Sequence, residues 1–81
     1  MVQIKALSVL VAKNIKRVRS EKGLTQEECA ERCKFHYKFM QRLEDTNGRC
    51  KPTLSTLARL ADGLKVHPQE FLRPFRKRTK K

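Results

Sequence analysis

The segment Gly23-Leu24-Thr25-Gln26-Glu27-Glu28 constrains this chain more than any other stretch. Glycine takes up the left-handed backbone that closes a helix, so Gly23 marks the end of one helix. Thr25 and Glu28 have the spacing of a capping box, and Leu24 and Cys29 that of a hydrophobic staple. A second helix therefore starts almost at once.

The hydrophobic period agrees with that punctuation. Leu7, Leu10, Val11, Ile15 and Val18 recur at steps of three and four, with Lys13, Lys16, Arg17 and Arg19 mostly off the stripe. This predicts an amphipathic helix 1 from about Ser8 to Lys22. Helix 2, roughly Gln26 to Cys33, turns Cys29, Ala30 and Cys33 inward. Lys34, Phe35 and His36 make a brief connection to helix 3, Tyr37 to Leu43 or Asp45, with Phe39, Met40 and Leu43 as inward candidates. Thr46 to Pro52 reads as a loop on its Asn-Gly and terminal Pro. Behind a Thr53 cap, Leu54, Leu57, Ala58, Ala61 and Leu64 keep helical period as helix 4. Pro68 suits the first position of a short helix 5 bearing Phe71 and Leu72, which Pro74 stops. No alternating run appears, so the fold class is all-α, a compact five-helix domain. Its expected bounds are an extension at 1–7, the domain at 8–72 and a basic tail at 73–81.

One small core is the limit for 81 residues, which leaves little room for a deep substrate pocket. Twenty Lys and Arg against eight Asp and Glu give a formal charge of +12, an excess that favours a polyanionic partner. It is concentrated at the ends: Lys5, Lys13, Lys16, Arg17 and Arg19 precede the first acid, Glu21, and six cations follow the last, Glu70. The three cysteines are an odd number without an export signal, so a reducing cytoplasm is expected, at the nucleoid if the partner is DNA. The apolar stretch Ala6 to Ala12 is far short of the ~20 residues of a membrane span, and no membrane partner is expected. Nothing combines a nucleophile with a base and orienter, a phosphate-binding glycine loop or paired carboxylates, so the chain is not read as an enzyme and no cofactor is expected.

Two short helices joined by a tight turn inside a basic helical domain let one helix enter a major groove while its neighbour crosses the backbone. The run NIKRVRSEKGLTQEECAERC, then FMQRLED, then PTLSTLARLADGLKVHPQEFL, resembles the Cro/C1-type, lambda-repressor-like helix-turn-helix family from about Leu10 to Leu72. The most specific parts are the R-x-x-x-G-L-T-Q-E-E-x-A block, Arg19 to Ala30, and R-L-E at Arg42 to Glu44. Three features depart from the family. Lys34 stands where Gly is usual, His36 where a Ser-like cap is usual, and Asn47, Gly48 and Arg49 lengthen the loop after helix 3.

The resemblance implies a helix-turn-helix of helices 2 and 3, with helix 3 as the recognition helix. Carried over by position, Tyr37, Lys38, Gln41 and Arg42 would touch base edges of double-stranded DNA. Lys and Arg can donate to guanine, and Gln can pair with adenine. An ordinary solvated helix face is the plain alternative. Gln26, at the family's backbone-gripping position, with Thr25, Arg49 and Lys51, would meet phosphates, although the Thr25 hydroxyl has its larger role as a cap. Lys16 and Arg19 are helix 1 alternatives for such contacts. The family commonly sets an Arg at position 19 against the Glu at 44, so Arg19 and Glu44 are expected as a structural ion pair.

Cys29, Cys33, His36 and Cys50 carry metal-ligating groups, but their spacing fits no standard zinc module. Buried thiols packing as small hydrophobes account for Cys29 and Cys33, and no metal is expected. His36 and His67 fall at helix N-caps. A repressor acting as a homodimer through Phe71, Leu72 and Phe75 is the leading expectation, with Phe71 and Leu72 closing the core as its rival. An antitoxin or restriction-modification controller of the same fold is the runner-up. In the remaining class, a nonspecific nucleic-acid or adaptor module, the basic ends bind phosphate without reading sequence.

Overall fold

Helix α1 (Ile4–Glu21) begins a turn earlier than Ser8. No breaker separates Ile4 from Ser8, and the first helical bond runs from the amide of Leu7 to the carbonyl of Gln3 at 3.0 Å. Ser8 is not a cap but a buried residue inside the helix. Residues 4–7, expected as an extension, thus belong to α1. The computed structural model describes residues 3–74, so the basic tail from residue 75 lies outside the described residues.

After α1 come α2 (Gln26–Cys33), α3 (Tyr37–Leu43), α4 (Leu54–Leu64) and a 3₁₀ turn, Pro68–Leu72. The described residues include no strand. The expected fifth helix is this 3₁₀ turn, because Pro68 and Pro74 leave too few residues between them to propagate α-helical bonds.

Helix ends carry the local logic of the fold. Gly23 has φ +72°, and the amide of Leu24 reaches back to the carbonyl of Arg19 at 3.2 Å, the long bond of a Schellman close. Lys34 takes the same left-handed conformation at φ 61° without glycine's freedom, and the amide of Phe35 donates to the Ala30 carbonyl at 2.8 Å. Arg59 of α4 supports this strained corner: its guanidinium donates to the Lys34 carbonyl at 2.7 Å and lies 4.7 Å over the Phe35 ring. Phe35 in turn meets Phe39 edge to face, with ring centroids 5.1 Å apart. Lys65, which nothing in its neighbourhood marks as special, ends α4 at φ 58° in the same way.

The core joins Val11, Ile15 and Val18 of α1 to Cys29, Ala30 and Cys33 of α2, Met40 and Leu43 of α3, and Leu60, Ala61 and Leu64 of α4. Phe71 seals it at 0% exposure, a burial contributing about 1.5–3 kcal/mol. Phe71 therefore belongs to its own chain's core and cannot face a second copy. Leu72 is exposed, and Phe75 lies outside the described residues. Leu54, expected to point inward, is 85% exposed, because at the first position of α4 it lies beyond the end of the packed face. Helix α4 meets α2 closely at Gly63, where an added Cβ would sit 2.6 Å from Cys33 Sγ and 3.2 Å from the Arg32 carbonyl oxygen.

A polar clamp holds the 3₁₀ turn to α1. Asn14, fully buried, donates from Nδ2 to the carbonyls of Phe71 (3.0 Å) and Arg73 (2.8 Å). Arg17 donates to the Asn14 side chain at 3.2 Å and to the Glu70 carbonyl at 2.9 Å, and it pairs with the carboxylates of Glu21 and Glu70. The Arg17 cation is thus committed within the fold instead of facing solvent as expected.

Candidate nucleic-acid interface

Helix α3 is built to present one face. Met40 and Leu43 are buried and Phe39 is half-buried, so successive steps of the helix leave Tyr37, Lys38, Gln41 and Arg42 exposed on the opposite side. Tyr37 and Gln41 lie one turn apart and are joined, Gln41 Nε2 donating to Tyr37 Oη at 3.2 Å. His36 caps the helix through Nδ1, which accepts from the Lys38 amide at 3.2 Å. The histidine thus takes over the capping role that a Ser-like residue fills in the resembling family.

Helix α2 starts with the complete capping box: Thr25 Oγ1 accepts from the Glu28 amide at 3.1 Å, and the Glu28 carboxylate accepts from the Thr25 amide at 2.9 Å. Its Thr25 hydroxyl is accordingly a structural cap. The Gln26 side chain donates to Glu44 Oε1 at 2.9 Å. Glu44 also accepts from Arg19 through two guanidinium nitrogens, Nε to Oε2 at 2.5 Å and Nη2 to Oε1 at 3.0 Å, while Arg19 Nη1 closes on the Leu24 carbonyl at 2.7 Å. That bonding raises the Arg19 pKa above its ordinary value, chiefly through the hydrogen bond with Glu44. The Arg19–Glu44 pair therefore ties the end of α1, the start of α2 and the end of α3 into one rigid corner, and Gln26 is held in it.

Beyond α3 the chain turns on its own side chains. The Asp45 carboxylate accepts from the Asn47 backbone and side-chain amides at 3.1 and 2.9 Å, and Asn47 Oδ1 accepts from the Arg49 amide at 2.8 Å. The loop brings Arg49 beside Arg42 in a hollow of about 280 Å³, lined also by Asp45, Asn47 and Cys50. A second hollow, about 610 Å³, shares Asn47 and Arg49 and adds Lys51, Gly48, Ile4 and Lys5. Of the expected contact residues, Arg42, Arg49 and Lys51 are thus brought onto adjoining hollows, while Thr25 and Gln26, at the start of α2, line neither. Lys16 lines a separate hollow with Lys13, Arg17, Ser20 and Thr46. Lys5, in the segment expected as an extension, also lines the second hollow.

Among the described residues, no group of three or more His, Cys, Asp and Glu side chains could hold a metal. Cys29 and Cys33 are buried free thiols. Contact with the Cys33 thiol, together with burial, pushes the Cys29 thiol well above its ordinary value, so it packs as a neutral group. No helix of the described residues is long and apolar enough to cross a membrane.

Residues 11–73 match the helix-turn-helix domain family, and the chain belongs to it. The family is one of non-enzymatic regulators, and the helix-turn-helix resemblance carried by Arg19 to Ala30 and Arg42 to Glu44 is met. The chain is 45% identical over 65 residues to the uncharacterized HTH-type transcriptional regulator y4dJ of Sinorhizobium fredii (strain NBRC 101917 / NGR234), a match covering 80% of this chain and 82% of that protein. Its fold is similar to the crystal structure of the hypothetical transcription factor NHTF from Neisseria, with a TM-score of 0.77 and 27% identity over 91% of this chain and 83% of the other.

Proposed function

We propose that this protein is a sequence-specific double-stranded DNA-binding regulator of the Cro/C1 type, reading the major groove with α3. The observation that carries this reading is the exposed quartet Tyr37, Lys38, Gln41 and Arg42 on the face of α3 opposite its buried side. Their donors and acceptors suit base edges, and Arg49 and Lys51, lining hollows that adjoin Arg42, would meet the flanking phosphates. Repression is the simplest output, since a domain this small blocks a promoter by occupying it. The protein acts in the cytoplasm at the nucleoid, as a homodimer on two half-sites about one helical turn apart, and Leu72 is the exposed apolar residue that such pairing would use.

The test is selection of bound duplexes from a random library at ~150 mM salt, a concentration that weakens sequence-blind electrostatic binding. A palindromic motif is expected. Gln41→Ala should relax the preference at one position of each half-site, by about 1–3 kcal/mol. Salt-sensitive binding with no motif would overturn the reading in favour of a nonspecific nucleic-acid binder.

A further inference from the structure

Lys5 stands near the start of α1, far in sequence from the loop after α3, yet its side chain lies on that loop. Gly48 is buried with φ +79°, and a Cβ built on it would meet Lys5 Cγ at 2.7 Å and Cε at 3.3 Å. The methylene stem of Lys5 therefore runs along bare backbone that only glycine leaves open, and Lys5 lines the same hollow as Arg49 and Lys51. Among the described residues, no carboxylate lies within ion-pair distance of Lys5, Arg49 or Lys51. The one acid beside this surface, Asp45, has both oxygens engaged by Asn47. Three cations are thus gathered without an ion-pair partner among the described residues, next to the hollow that Arg42 of α3 lines.

We infer that Lys5 is a DNA-backbone contact, placed by Gly48 to bind a phosphate on the strand that leaves the groove past Arg42 and Arg49. This inference rests on the DNA-binding reading and extends its footprint to the first turn of α1. A lysine whose stem is already seated gives up less side-chain freedom on binding than a free one, and a phosphate oxygen supplies the missing charge. The contact fixes register and adds affinity without reading sequence.

The test compares the full chain with Lys5→Met, which keeps the stem on Gly48 and removes the charge, and with Arg49→Met as a reference. Affinity for the selected duplex and for a random-sequence duplex is followed against salt. Neutralising one phosphate contact should lower the slope of log K on log salt by about 0.9, so a rise from ~50 to ~200 mM salt should weaken Lys5→Met about 3.5-fold less than the parent. The loss should be equal on both duplexes, with an unchanged melting temperature. Gly48→Ala should lose the same contact, so the double variant should have the slope of Lys5→Met alone. An unchanged slope in Lys5→Met, with a lowered one in Arg49→Met, overturns the assignment of Lys5 while DNA binding stands. If the parent selects no motif and Arg49→Met also leaves the slope unchanged, the DNA-binding reading itself fails.

Discussion

Asn14 holds the carbonyl of Phe71 at 3.0 Å from inside the core, across 57 positions of sequence. A fully buried amide on α1 thereby decides where the C-terminal turn sits, and the aromatic ring that closes the core is positioned by its own backbone. Removing that donor leaves the buried Phe71 carbonyl without a partner, which costs about 1–3 kcal/mol. Asn14→Ala should lower the melting temperature by several degrees, at roughly 4–8 °C per kcal/mol for a domain of this size. An unchanged melting curve would show that the turn is held by Phe71 burial alone.

The Arg19–Glu44 pair is a different kind of joint, with side chains only 13% and 3% exposed. Breaking a buried pair from one side leaves an uncompensated charge and costs about 3–5 kcal/mol. Arg19→Ala should therefore unfold the domain before it harms any DNA contact. Chemical denaturation should report the loss, and Arg19→Ala with Glu44→Ala together should cost less than the sum of the two. A variant of Arg19 that melts normally yet fails to bind DNA would make the residue a ligand contact instead.

Acid should loosen the clamp on the 3₁₀ turn. Hydrogen bonds from Arg73 and then Arg17 hold the Glu70 carboxyl below its ordinary value of 4.5. A carboxylate with a depressed folded pKa gives stability that is present above the unfolded value and lost as pH falls through the folded one. Wild type should thus melt above Glu70→Gln at neutral pH, and the gap should close only below about pH 4.5. Thermal melts across pH 3 to 7 check this, and a gap of constant size throughout would show that Glu70 acts through its shape and not its charge.

What the sequence made legible was local. Gly23, Thr25 and Glu28 announce their turn because every group involved lies within a few residues, and the helical period finds α1 through α4 for the same reason. The exposed face of α3 was legible too, since its apolar positions fix which side remains. The features that escaped are set by distant partners. Nothing beside Asn14 foretells that two carbonyls near the other end of the chain will need its amide, so its sequence neighbourhood gives no sign of the role. Leu54 failed for a different reason: its helical register is right, but no neighbouring element among the described residues covers the first position of α4. Lys5 and Gly48 are informative only as a pair, and their separation in the chain hides it.

Gly63 offers the sharpest test of how α2 and α4 are packed. One residue from the C-terminal end of α4, a glycine costs up to about 1 kcal/mol of helix stability relative to alanine, so Gly63→Ala would be neutral to stabilising if the helix stood alone. Here the new methyl would sit 2.6 Å from Cys33 Sγ, which is itself buried, and 3.2 Å from the Arg32 carbonyl oxygen and Cys33 Cα. Forcing one extra carbon into such a contact costs about 1–3 kcal/mol, so the overpacking should outweigh the propensity gain. The sulfur supplies the shortest contact, and the backbone atoms need to give by only a few tenths of an ångström. Gly63→Ala should therefore destabilise wild type but be nearly neutral when Cys33 is also alanine, with a coupling between the two sites of about 1 kcal/mol or more. Additive effects in denaturant unfolding would place the clash on the α2 backbone, where trimming Cys33 brings no relief.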